Sequence, residues 1–193
     1  MKQFLSTEFW SERYQQNETA WDLGQISPPI KEYIDQLTNK ELKILIPGCG
    51  LGHEGEYLFR NGFLNVHLLD LTKEPLVDFK KRNPEFPKKQ LITGDFFEHE
   101  GKYDLIIEQT LFCAINPSLR IKYAEKTVEL LREKGKLVGL LFNREFVGGP
   151  PFGGNKEEYL IYFEKYFSIV EMNECKNSIA PRQGSELFIN LEK

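Results

Sequence analysis

The chain has 193 residues, enough for one domain with a sizeable core and no need of disulfide or metal staples. Its 25 Lys+Arg stand against 29 Asp+Glu, and the net charge of −4 argues against a nucleic-acid binder that works by neutralising phosphates. No apolar run approaches the roughly 20 residues of a membrane span, and residues 1–10 lack the apolar core of an export signal. A cytoplasmic, membrane-free protein is the expectation. The cysteines (Cys49, Cys113, Cys175) are odd in number and lie 64 and 62 residues apart, so neither a disulfide framework nor a metal site is expected.

Residues 1–40 precede any alternation of strands and helices. Residues 7–14 have helical character and carry Phe9, Trp10, Arg13 and Tyr14; both tryptophans of the chain, Trp10 and Trp21, fall in the first 21 residues. Ser27-Pro28-Pro29 reads as the cap of a second helix with Ile30, Ile34 and Leu37 on one face. From residue 41 the alternation begins. Strands are predicted at 42–46, 66–70, 90–93, 104–108 and 136–142, the apolar ones reading as buried parallel strands. Helices are predicted at 53–60, 73–82 and 157–166, and another opens at Asn116-Pro117. That helix has an apparent stripe of Ile121, Ala124, Val128 and Leu131 and a stop at Gly135. Two further strands, 168–172 and 186–191, follow without a full helix between them. The pattern predicts a doubly wound, Rossmann-like α/β fold of about seven mostly parallel strands with an antiparallel C-terminal edge. It is a single domain over 1–193, with residues 1–40 as a helical lid and 41–193 as the catalytic sheet.

Gly48, Gly50 and Gly52 lie in the turn between the first strand and its helix, where ligands bind in such folds. A G-x-G-x-x-G match exists at Gly50–Gly55, but it starts after the strand has ended. Started at Gly48, it puts His53 where a dinucleotide fold needs a third glycine. The looser turn suits a nucleoside cofactor without phosphates, S-adenosylmethionine, with NAD and a degenerate nucleoside pocket as the competing readings. Asp70 ends the second strand, 22 residues after Gly48, where a carboxylate accepts from ribose hydroxyls. Asp95 and Phe96 follow the third strand and suit an adenine amino group and ring.

The stretches FWSERYQQNETAWDLGQISPPI, LIPGCGLGHEGEYL, GDFFE, VGGPPF and APRQGSE resemble the thiopurine methyltransferase superfamily of S-adenosylmethionine-dependent enzymes, above all its thiol and halide methyltransferase branch. The resemblance spans nearly the whole chain. It implies a class I methyltransferase in which Trp10, Tyr14 and Trp21 close over the cofactor. It also implies that Gly48, Asp70, Asp95, Phe96 and Gln109 contact the cofactor. The sequence departs from the plant pattern at Tyr14, usually Trp, at Glu108, usually Asp, and at Gln109, usually Tyr; Asn143-Arg144-Glu145 also differs. The last two departures border the acceptor pocket.

The implied reaction moves a methyl group from a sulfonium to a small soft nucleophile: a thiol, sulfide or halide. A thiopurine, selenium or tellurium acceptor is the runner-up, and a non-catalytic cofactor-binding protein is the alternative of another class. An anionic nucleophile needs no base, so alignment and exclusion of water carry the rate. Aromatic faces at the positive centre add roughly 0.5–2 kcal/mol each. A thiol with pKa about 8.5 would gain from a nearby cation, for which Arg144 and Arg182 are the candidates. Cys113, Phe142 and Phe152, with Phe146, Pro150 and Pro151, are candidate acceptor-pocket walls, Cys113 as lining rather than nucleophile. His53 reads as helix surface. A monomer or weak dimer acting on a small molecule, without nucleic acid, is expected.

Overall fold

The computed structural model describes residues 5–193; the first four residues of the expected lid lie outside them. Two helices come first, α1 (Thr7–Gln15) and α2 (Pro28–Asp35). The alternation then runs β1 (Ile44–Pro47), α3 (His53–Arg60), β2 (Val66–Asp70), α4 (Glu74–Arg82), β3 (Leu91–Thr93) and β4 (Tyr103–Gln109). It continues with α5 (Arg120–Leu130), β5 (Leu131–Phe142), α6 (Lys156–Phe163), β6 (Ile169–Glu174) and β7 (Glu186–Glu192).

The seven strands form one sheet in the order β3-β2-β1-β4-β5-β7-β6. The first five are parallel, and β7 inserts antiparallel between β5 and β6. The chain winds outward from β1 to β3, then crosses to β4 on the other side of β1. The order therefore reverses between β1 and β4, and a crevice opens at the carboxyl ends of those strands.

Continuous apolar strands demand cover on both faces. Leu45, Leu69, Ile106, Leu137 and Leu141 point to one core, shared with Tyr123 and Ala124 of α5 and Phe163 of α6. Ile44, Ile46, Leu68, Leu105 and Ile107 point to the other, shared with Ile30 and Ile34 of α2, Leu58 of α3 and Phe79 of α4.

Asn116 caps and Pro117 opens the helical segment as expected, its first turn being 3₁₀ with Asn116 Oδ1 accepting from the Ser118 amide at 3.0 Å. Four other local expectations are corrected. In α5 itself Ile121 is 52% exposed, and the buried face is Arg120, Tyr123, Ala124, Thr127 and Leu130. That face holds polar groups that find internal partners: the Thr127 hydroxyl donates to the Tyr123 carbonyl at 2.8 Å, and Arg120 pairs through its terminal nitrogens while its Nε has no partner. Leu131 is not helical. It pairs with Tyr103 as the start of β5, and the pairing resumes only at Lys136 opposite Leu105, so residues 132–135 bulge out. Gly135 is no helix stop. It lies where a Cβ would come within 2.8 Å of the Arg132 carbonyl and 3.1 Å of the Tyr103 carbonyl. Finally, Ser27 precedes α2 but does not cap it with its side chain; its hydroxyl donates instead to Gln109 Oε1 at 3.1 Å.

Candidate functional site

A cavity of about 870 Å³ opens at the crevice. Its floor is Gly48 of the glycine loop and the ends of β2 and β3, and α1 with the loop after it forms the roof. Residues 111–119, 142–151 and 181–185 make the far wall.

The glycine loop turns through positive φ at Gly48 (+59°), Gly50 (+51°) and Gly52 (+74°). Glycine is required twice over at Gly52, where a Cβ would meet the Phe79 ring at 2.6 Å. The loop is stitched to β2: the Cys49 amide donates to the Leu69 carbonyl at 3.0 Å, and the Gly50 amide to Asp70 Oδ2 at 3.0 Å. The other oxygen of Asp70 accepts from the amide and the hydroxyl of Thr72, both at 3.0 Å. A carboxylate offers about four acceptor sites. Three are used here, which leaves one on Oδ2 in a side chain that lines the cavity. Asp70 does not cap α4, whose N-cap is Lys73. Burial raises its pKa, and the Thr72 and Gly50 hydrogen bonds oppose that.

At the end of β3, Gly94, Asp95 and Phe96 line the cavity. Asp95 Oδ1 accepts from the Phe97 amide at 2.8 Å, so the carboxylate caps the following 3₁₀ turn with acceptor capacity left over. Phe96 sits at the core boundary, its ring 5.1 Å from that of Tyr123.

The roof is aromatic. The Trp21 ring meets Trp10 edge-on at 5.5 Å and Tyr14 edge-on at 5.7 Å. No residue of α1 is fully buried, so these rings close the cavity rather than fill the core. The roof is fastened at its outer side by Ser11 and Gln15, which donate to Glu74 Oε1 of α4 at 2.5 and 3.1 Å.

Several predicted site residues stand elsewhere. Gln109 is turned to Ser27 and edges a recess of about 40 Å³ beside the glycine loop, with Gly50, Asp22 and His53; Trp21, Gly48 and Thr110 belong to both spaces. His53 is not free helix surface: its Nε2 lies 2.8 Å from Asp22 Oδ1. Phe152 is not a cavity wall. Its amide donates to the Cys113 carbonyl at 2.7 Å and its ring lies under Gly149, which leaves Phe146, Pro150 and Pro151 on the cavity side.

Cys113 and Phe142 do line the cavity. The Cys113 thiol donates to the Thr110 carbonyl, and burial pushes its pKa up to about 12, which suits lining rather than nucleophilic chemistry. The two candidate arginines differ. Arg144 is exposed and lies over the Phe146 ring at 4.8 Å, and among the described residues no ion pair includes it. Arg182 is buried; its Nη1 reaches Glu186 Oε1 at 3.3 Å and its Nη2 donates to the Trp21 carbonyl at 2.9 Å.

Two supporting groups escaped the sequence reading. Arg120, 1% exposed, pairs with Glu158 at 2.8 Å and donates to the carbonyls of Gly153 and Phe152, pinning the proline loop to α5 and α6. Glu108, fully buried at the end of β4, accepts from the Phe112 amide at 2.9 Å and the Tyr123 hydroxyl at 2.5 Å, fixing the turn that presents Cys113. Arg120, Tyr123 and Thr127 share one helical face, and that spacing was the available clue.

Sheet order, glycine loop and strand-end acids define an S-adenosylmethionine-dependent methyltransferase. The solved Burkholderia thailandensis 1,6-didemethyltoxoflavin-N1-methyltransferase has the same fold, with TM-score 0.74 at 14% identity over 97% of this chain and 86% of that one. The sequence model of the thiopurine S-methyltransferase family matches residues 5–190, and the chain belongs to that family. Among relatives, a probable thiol methyltransferase 2 of Arabidopsis thaliana is 29% identical over 184 residues, covering 92% of this chain and 81% of its own length. A thiopurine S-methyltransferase of Pseudomonas fluorescens is 26% identical over 180 residues, with 82% of each chain covered. S-Adenosylmethionine is the cofactor of this class, and the cavity fits it: a positive-φ glycine cradle faces a buried carboxylate with one acceptor site to spare.

Proposed function

We propose that this chain transfers the methyl group of S-adenosylmethionine to a small soft nucleophile that arrives as an anion: a thiolate, hydrosulfide or halide. Bound, the cofactor supplies an electrophilic methyl on a sulfonium. Asp70 would hold the ribose, Asp95 and Phe96 the adenine, and Gly48 the close backbone approach. α1 and the loop to Trp21 act as a lid, with Trp10, Tyr14 and Trp21 excluding water and offering π-faces to positive charge; α2, expected within the lid, instead covers the sheet with Ile30 and Ile34.

The observation that carries this reading is the lack of a base at the acceptor end. None of the three histidines lines the cavity, and its carboxylates are Asp70 and Asp95 at the strand ends and Glu18 on the roof. Glu108 is sealed by its own hydrogen bonds, and the Cys113 thiol is held neutral. Since Asp70 and Asp95 are assigned to the cofactor and no histidine lines the cavity, an acceptor already ionised, which needs only alignment, suits the site better than one that must lose a proton in the reaction. Arg144, in no ion pair among the described residues, lines the same cavity and would offer the anion a positive charge.

The thiopurine reading is favoured by the apolar Phe142, Phe146 and Pro150 walls, which suit a ring, and a selenium or tellurium acceptor is the other alternative. A cytoplasmic location agrees with three free, buried cysteines, and monomer or weak dimer remains the proposed state. Headspace detection of methyl iodide and methylated thiols, from purified protein with S-adenosylmethionine, tests the function. Turnover confined to alcohols or amines would overturn it.

A further inference from the structure

We infer that Arg182 is a positioning residue for the cofactor, clamping the Trp21 carbonyl and thereby setting the aromatic roof. The inference rests on the S-adenosylmethionine reading of the cavity and differs from the acceptor-polarising role expected for Arg182 from the sequence.

Arg182 lines the cavity, and each of its terminal nitrogens holds a protein partner, using two of its five N–H donors. Nη1 reaches Glu186 Oε1 at 3.3 Å, and Glu186 opens β7, a strand paired on both sides. Nη2 donates to the Trp21 carbonyl at 2.9 Å. The guanidinium also lies over the Phe142 ring at 5.4 Å, so an aromatic face limits its swing. With 9% of its surface exposed, the side chain is a strut from the sheet to the roof. Arg144, exposed and lying over the Phe146 ring, has the opposite character.

Trp21 is the hub of the roof, since its ring touches both Trp10 and Tyr14. Its segment is held from two sides. Asp22 reaches His53 beside the glycine loop at 2.8 Å, and Arg182 takes the Trp21 carbonyl from the C-terminal side of the sheet. Without the strut one side is released, and the closed roof becomes one of several arrangements. Apparent affinity then falls by the fraction of molecules still closed. A roof closed one-tenth of the time binds tenfold more weakly, about 1.4 kcal/mol.

The test uses the full chain as wild type, R182Q and R182K. S-Adenosylmethionine is titrated by calorimetry with no acceptor present, and near-UV circular dichroism is recorded on the free protein. Both tryptophans of the chain are in the roof, so the tryptophan bands report the roof alone. R182Q should bind about tenfold more weakly and lose tryptophan ellipticity, regained at saturating cofactor. R182K should fall between, because one ammonium reaches only one of the two acceptors. At saturating substrates kcat should stay within about threefold, with the acceptor KM unmoved for thiol and iodide alike.

Wild-type affinity and spectrum in R182Q would overturn the inference. So would a loss confined to acceptor KM and dependent on acceptor charge, which would make Arg182 an acceptor-binding group. If R182Q does not fold, R182K and E186Q carry the test, and unchanged spectra and affinities in both would overturn it equally. Failure of the wild type to bind S-adenosylmethionine would instead remove the reading of the cavity itself.

Discussion

Replacing Glu108 by Gln should change how stability depends on pH. Burial raises the Glu108 pKa to about 7 from an ordinary 4.5, although the Tyr123 hydroxyl and the Phe112 amide both favour the ionised form. The folded state therefore binds this proton more tightly than the unfolded chain does. A raised carboxyl pKa means the favourable contribution is fully present below about pH 4.5 and is lost as pH rises through about 7. At about 1.36 kcal/mol per unit, the 2.5 units between the two values correspond to about 3 kcal/mol lost by pH 8. Glutamine keeps the shape and an acceptor for the Phe112 amide but cannot ionise. E108Q should match the wild type within about 1 kcal/mol at pH 5 and exceed it by about 2–3 kcal/mol at pH 8. Urea unfolding of both proteins from pH 5 to 8.5 gives the difference directly. A difference that stays flat across that range would refute the reasoning, because a pH-independent effect comes from packing and not from a buried charge.

Asp70→Asn removes the charge that accepts the Gly50 and Thr72 hydrogen bonds, and charged hydrogen bonds are worth roughly 1.5–3 kcal/mol. Calorimetry should show S-adenosylmethionine affinity down by at least tenfold, and wild-type affinity would count against a ribose role. Arg144→Gln should raise the KM for anionic acceptors several-fold, more at low than at high ionic strength, while cofactor affinity stays unchanged. Arg120→Ala strips the partner from Glu158 and the donors from the Phe152 and Gly153 carbonyls. Unfolding should become easier by about 3–5 kcal/mol, measured in urea.

The frame of the molecule was legible in the sequence because the apolar strands are continuous and glycines punctuate them. Strand existence, the parallel run and the antiparallel end all followed from that pattern. The face of α5 did not, since a hydrophobicity reading prefers Ile121, whereas the fold buries Arg120 on the terminal-nitrogen bonds to Glu158 and the Gly153 carbonyl, and Thr127 on the Tyr123 carbonyl. Resemblance located positions but not side-chain directions. Gln109 and Phe152 sit where the family pattern puts them in the chain, yet one turns to Ser27 and the other lies under Gly149. Arg182 was legible as a candidate, but its contact with the Trp21 carbonyl was not, because that partner is 161 residues away and leaves no local trace.

The cavity walls draw on residues from Leu5 to Ser185, taken from the roof, four strand ends and three later loops. No fragment of the chain carries the site, so partial opening of any of these segments dismantles it. A ligand seated there holds the molecule as a whole, and its binding free energy adds to global stability as RT ln(1 + [L]/Kd). For this fold, occupancy and resistance to heat or proteolysis are one quantity seen by two instruments.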